Sequence, residues 1–181
     1  MSLPVAHALL GASVVAALQP DASLRRDRKS LVLGAFLGIF PDFDYFLNLI
    51  PTLGGGWHHG FTHSFLFAFL AGLVTAIAWG KADRRGIIVY GSATLSHPLL
   101  DFLITESRGV ELFWPFSNLR FKLRLPNPID YSWRGTSVWE TMIDLLRISL
   151  IELMIFAPLF LLILWIRRLN SRRLNLTRRI H

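Results

Sequence analysis

No cysteine occurs in this chain of 181 residues. Disulfides and thiolate metal sites are therefore excluded, and any bound metal must take nitrogen and oxygen ligands. Charge is scarce, at 17% Asp, Glu, Lys and Arg, against the roughly 25% usual in soluble domains. Internal repeats and low-complexity tracts are missing, as are a phosphate-binding glycine loop, a dinucleotide fingerprint and a G-x-S-x-G elbow. Ser64 and Ser96 stand beside histidines without forming a recognisable triad. No Lys or Arg precedes Leu3, so the positive n-region of a signal peptide is absent, and residues 3–18 are expected to be retained structure.

What the chain has instead is apolar length. Hydrophobic residues make up 52%, and the mean hydropathy is +0.45. That composition predicts an all-α, polytopic membrane helix bundle forming one domain over 1–181, with no room for a separate soluble module. About five apolar segments are expected: 3–18, which is short and whose full or partial span the sequence leaves open, then 31–50, 61–80, 86–105 and 138–166. The net charge of +7 does not call for nucleic acid. Thirteen of the 19 Lys and Arg residues fall in three clusters: Arg25, Arg26, Arg28 and Lys29; Lys81, Arg84 and Arg85; and Arg167, Arg168, Arg172, Arg173, Arg178 and Arg179. Placing all three on the cytoplasmic side gives a consistent path, N-terminus out and C-terminus in.

The external parts are then 51–60 and 106–137. The second is rich in aromatic residues, among them Phe113, Trp114, Phe116, Phe121 and Trp133. It is expected to lie on the bilayer surface, although it also holds Arg108, Arg120, Lys122, Arg124 and Arg134. Ser137-Val-Trp-Glu140 has the capping-box form and should open the last helix, 138–166. Asp144 and Arg147 are spaced for an internal salt bridge, and Glu152 is read in the same structural way. The tail 167–181, with His181, reads as a basic cytoplasmic segment attracted to anionic lipid.

Seven potential metal ligands fall on the external side of that path: His7, Asp42, Asp44, His58, His63, His97 and Asp101. Ionisable residues in membrane segments are costly and usually functional. His97 and Asp101 have i, i+4 spacing, so both can bind one ion, or the aspartate can orient the histidine, or the two can simply tie helices together. Pro41 interrupts a helix and frees the chain around Asp42 and Asp44, which on a regular helix would diverge by about 200°. A turn or cap is the plainer role for these aspartates. His58, His59 and His63 form the densest imidazole cluster, with Gly60 expected to provide a tight turn. His7 gains weight only from its position on the same face.

Pro41-Asp-Phe-Asp44, His58-His-Gly-Phe-Thr-His-Ser64, Ser96-His-Pro-Leu-Leu-Asp101 and Gly109-Val-Glu-Leu-Phe-Trp-Pro115 occur in that order, with Thr105 between the last two and His7 before them all. Over residues 4–126 the chain resembles the YdjM-like family of bacterial and archaeal inner-membrane proteins, described as metal-dependent hydrolases. The family pattern has Arg where this chain has His59. The resemblance therefore implies His58 and His63 as the family histidines, with His59 an extra imidazole or a substitute cation contacting substrate. Glu111 has no family counterpart in the ligand set.

Four His and three Asp suffice for one or two divalent transition-metal ions, zinc foremost, with Mn or Fe as alternatives. Two-metal sites hydrolyse phosphoesters or amides. The expectation is a metal-dependent hydrolase of the inner membrane, its site facing the periplasm or exterior, acting on a membrane lipid or another phosphoester. Asp42, His58, His63 and Asp101 are expected to carry the chemistry. An amidase or deacylase would need the same ligands, and a metal carrier or sensor is the non-enzymatic alternative.

Overall fold

The computed structural model describes residues 4–19, 28–50, 52, 57–104, 108–125 and 137–177. Arg25, Arg26, Thr105, Trp133, Arg134, Arg178, Arg179 and His181 lie outside them. Five α-helices follow in order: α1 Pro4–Leu18, α2 Arg28–Ile39, α3 Phe65–Ala78, α4 Arg84–Ile104 and α5 Val138–Thr177. No strand occurs among the described residues, apart from one antiparallel bridge between Val110 and Phe121. The chain is therefore all-α, as its composition requires.

Three stretches are long and apolar enough to cross a membrane: Arg28–Asn48, Arg84–Ile104 and Val138–Asn170. Pro4–Leu18 and Phe65–Ala78 are shorter. The segment expected at 61–80 divides into a 3₁₀ turn, Phe61–His63, and the 14-residue α3. Ser64 causes the division, because its Oγ accepts from the Phe67 amide at 3.1 Å and caps α3. At 1.5 Å per residue α3 is about 21 Å long, short of the roughly 30 Å hydrocarbon core.

Pro41 acts as expected on the second segment. The α-helix stops at Ile39 and the chain continues as a 3₁₀ helix, Phe40–Leu49. Ten residues is long for this form. Phe36, Phe40, Phe43 and Phe46 pack ring to ring along one side, with centroids 5.5–6.0 Å apart, which supports the tightened turn. The opposite side carries Asp42 and Asp44.

Helix α1 packs on α2, α4 and α5; α2 also packs on α4; and α3 packs on α4. Among the described helices α5 touches α1 alone. The core is Val15, Leu37, Ala76, Val89, Tyr90 and Ala93. Glycine sets the closeness of the contacts. A Cβ on Gly11 would strike the Gly34 carbonyl oxygen, and one on Gly38 would strike that of His7. Gly72 does the same between α3 and α4, where a Cβ on it would lie 2.5 Å from the Gly91 nitrogen. Packing through small residues is the usual way for helices to associate in lipid.

The capping box at the start of α5 is present. The Glu140 amide donates to Ser137 Oγ at 3.3 Å, and the Ser137 amide donates to Glu140 Oε2 at 3.1 Å. Arg147 and Asp144 pair at 3.6 Å. Glu152 departs from simple salt bridging: it is fully buried and accepts from the Ala6 amide at 3.1 Å. Helix α5 runs past 166 to Thr177, so much of the basic tail is helical.

Candidate metal centre

The 3₁₀ helix after α2, the turn before α3 and the last turns of α4 meet at one end of the bundle. Four ligand atoms converge there, one each from Asp42, His63, His97 and Asp101, all within 4.8 Å of one another. His97 Nε2 is 3.1 Å from His63 Nε2, 3.2 Å from Asp42 Oδ1 and 3.3 Å from Asp101 Oδ2. His63 Nε2 is 3.5 Å from Asp101 Oδ2 and 3.7 Å from Asp42 Oδ1. Four ligands at 2.0–2.1 Å from a tetrahedral ion would stand about 3.3 Å apart. The five separations bracket that value.

The ring orientations follow from hydrogen-bond chemistry. A carbonyl oxygen only accepts, so His97 donates its Nδ1 proton to Gly38 O, at 2.7 Å. Thr62 Oγ1 donates its single proton to Asp44 Oδ2 at 2.5 Å. It can then only accept from His63 Nδ1, at 2.9 Å. Each ring is thus held with Nε2 turned into the cluster, as orienting partners do for metal-bound histidines. Two imidazole nitrogens and two carboxylates facing one another require positive charge between them, from ring protons or from a cation. The donor set and its spacing fit a divalent ion.

Asp42 and Asp44 do diverge, but they take opposite edges of one ring. Asp42 lies toward His63 Nε2, while Asp44 Oδ2 lies 3.4 Å from His63 Nδ1. Asp44 Oδ1 also accepts from His58 Nδ1 at 2.9 Å. His58 Nε2 is buried without a hydrogen-bond partner. His7 stacks on the His97 ring, with centroids 3.7 Å apart, and its Nε2 is 3.6 Å from Asp101 Oδ1. The seven residues singled out in the sequence therefore form one assembly. Four converge on a point, and His7, Asp44 and His58 stand one contact further out.

His59 is where sequence reasoning fell short. The left-handed residue of the turn is His59, with φ 65°, and not Gly60. Gly60 is needed for closeness, since a Cβ there would lie 2.9 Å from Trp57 O. The turn drives His59 inward to 3% exposure, its Nε2 3.7 Å from Asp101 Oδ2. Burial, against the opposing pull of Asp101, holds its imidazole down to about 3. His58, His59 and His63 form a second group able to hold an ion, sharing His63 with the first. The density of imidazoles at 58–63, with His59 and His63 four apart, was the sign of this in the sequence.

The surface loop is part of the same construction. Phe65 donates to Leu112 O, Leu123 to Phe102 O and Glu111 to His59 O, at 2.9, 2.7 and 3.1 Å. Residues 108–125 thereby tie the start of α3 to the end of α4, the two helix ends that carry His63, His97 and Asp101. Phe116 is 90% exposed and Leu119 68%. Glu111 is outside the ligand cluster and pairs with Arg120 at 2.9 Å. His63 and His97 are fully buried, whereas the Asp42 and His58 side chains are 22% and 17% exposed. The cluster opens on that side, and Tyr45, edge-on to His58, and Trp57 are exposed beside it.

The sequence profile described as YdjM inner membrane protein matches residues 1–172. The chain is 35% identical over 97 residues to inner membrane protein YbcI of Escherichia coli (strain K12), covering 50% of this chain and 56% of that protein. The chain thus spans little more than half the length of that curated relative. No solved structure matches.

Proposed function

This chain belongs to the YdjM inner membrane protein family, and on that premise we propose that it is a membrane-embedded, metal-dependent hydrolase acting on a lipid or another phosphoester. One observation carries the reading: four N and O atoms at tetrahedral spacing, with both imidazoles oriented from behind, on the side of the bundle end that opens past Asp42 and His58. Asp42, His63, His97 and Asp101 would hold the ion. A divalent ion so held supplies Lewis acidity toward a phosphoryl or carbonyl oxygen and an activated water at neutral pH.

The protein's own groups do the rest. Gly38 O, Thr62 and Asp44 fix the ligand rings. His58 is held by Asp44 through Nδ1, which leaves its Nε2, buried inside the opening, as the atom to accept or return a proton. The buried walls around His63, His97 and Asp101 exclude bulk water. The exposed aromatics beside the opening suit a substrate with an apolar part. Basic residues at the far ends of α2 and α4, with the basic tail, support a site facing the periplasm or exterior.

The test is detergent-purified protein, assayed for metal by elemental analysis and then for hydrolysis of phosphodiester and phospholipid substrates. Metal-replete protein should turn over, chelator should stop it, and re-addition of Zn or Mn should restore it. Stoichiometric metal with no hydrolysis of any of these would favour an amidase, carrier or sensor. No metal retained or regained removes the reading altogether.

A further inference from the structure

A second feature lies away from the metal cluster, on the outer flank of α3 and α4. A groove of about 630 Å³ runs between these helices. Phe65 and Phe69 wall it on one side, Ser92 and Leu95 on the other, with Gly91 in the floor and Arg84 at one end. Its lining is otherwise almost wholly apolar. Gly91, which carries no side chain, leaves room in the floor, where Ala68, Ile87 and Ile88 complete the lining.

Length and charge say what would fill it. From Arg84 to Leu95 the α4 backbone rises about 16 Å, at 1.5 Å per residue. One leaflet of the hydrocarbon core is about 15 Å thick, half of the roughly 30 Å total. Arg84 is the first residue of α4 and is exposed, with Lys81 and Arg85 close in the chain. Among the described residues around the start of α4 the acid is Asp83, which accepts from the Gly86 amide at 2.6 Å. A groove one leaflet long, apolar along its length and cationic at the water end, complements a single anionic phospholipid. Basic pockets between membrane helices bind acidic headgroups in this way.

We propose that the α3–α4 groove is a specific site for one anionic phospholipid of the leaflet opposite the metal cluster, its phosphate on Arg84 and an acyl chain along Phe69, Gly91 and Ser92. The site is independent of what the metal cluster does.

Native mass spectrometry of the full chain in mild detergent, titrated with dioleoyl phosphatidylglycerol and separately with phosphatidylcholine, tests this. Wild type should bind one phosphatidylglycerol per chain in preference to phosphatidylcholine. Arg84→Gln should weaken that binding about fivefold, the effect expected of one basic residue near an anionic headgroup. Ser92→Phe should abolish it by filling the groove. Arg168→Gln, in the basic part of α5, should leave it unchanged. Equal binding of both lipids, no saturable first lipid, or wild-type affinity in Arg84→Gln overturns the proposal. So does a lipid-free dimer protected over Phe69 and Ser92, which would make the groove a contact between copies. Should Ser92→Phe fail to fold, Arg84→Gln, at an exposed helix end, still decides.

Discussion

The carbonyl oxygen of Gly38 accepts the Nδ1 proton of His97 at 2.7 Å, at the one residue of α2 where a side chain would also collide with the His7 backbone. The α1–α2 contact and the orientation of a metal-facing imidazole therefore depend on the same glycine. Gly38→Ala must push α1 away or tilt the carbonyl. Overpacking of this kind costs about 1–3 kcal/mol. The expected outcome is a lower melting temperature in detergent together with weaker metal retention. Gly80→Ser serves as a control for chain handling, because the space beside Gly80 is open and the strain there is confined to its φ of 66°.

Thr62→Val keeps the shape of the side chain but removes the hydroxyl between Asp44 and His63. Loss of such an orienting partner typically weakens metal binding 10–100-fold. Metal titration of stripped protein should show that loss with little change in fold by circular dichroism. Unchanged affinity would mean that Asp44, 3.4 Å from His63 Nδ1, holds the ring without help.

His59→Arg restores the residue usual in the family pattern. The variant should keep the ion held by Asp42, His63, His97 and Asp101, and at most alter substrate preference. Elemental analysis decides. Loss of one equivalent of metal would make His59 a ligand, through the group it shares with His58 and His63.

Glu152 caps α1 from another helix. It takes the Ala6 amide, one of the first-turn N–H groups that a helix cannot satisfy internally. Glu152→Leu leaves that donor unsatisfied beside the positive end of α1, at a cost of about 1–2 kcal/mol. Thermal unfolding should show the loss, and Glu152→Gln, which keeps an acceptor, should recover much of it. A leucine variant as stable as wild type would assign the hold of α5 on α1 to apolar packing around Ile148.

Orientation can be read directly, because the chain has no cysteine to remove. Ala82→Cys lies at the exposed α3–α4 connection, at the end away from the metal cluster. An impermeant thiol reagent should label it only after intact cells are opened. Labelling in intact cells would put the metal cluster on the cytoplasmic side.

Composition and charge alone determined that this is an all-α membrane chain, because 52% apolar residues in runs of helix-spanning length leave few alternatives. Pro41 and Ser137 marked real boundaries, since a missing amide and a capping hydroxyl act locally. Spacing also put His97 with Asp101, for i and i+4 share a helix face. Other features were decided only by the tertiary structure. Asp42 and Asp44 embrace a single ring because His63, from another element, enters between them. His59 turns inward because the Glu111 amide holds its carbonyl and its own backbone adopts φ 65°. Gly38 reads as a small residue in an apolar run, and its role at His97 needs a partner 59 positions away. Glu152 reads as one more helix charge, and its role depends on the first turn of α1 packing against it. Local rules act over three or four residues, whereas each of these relationships depends on which helix packs beside which.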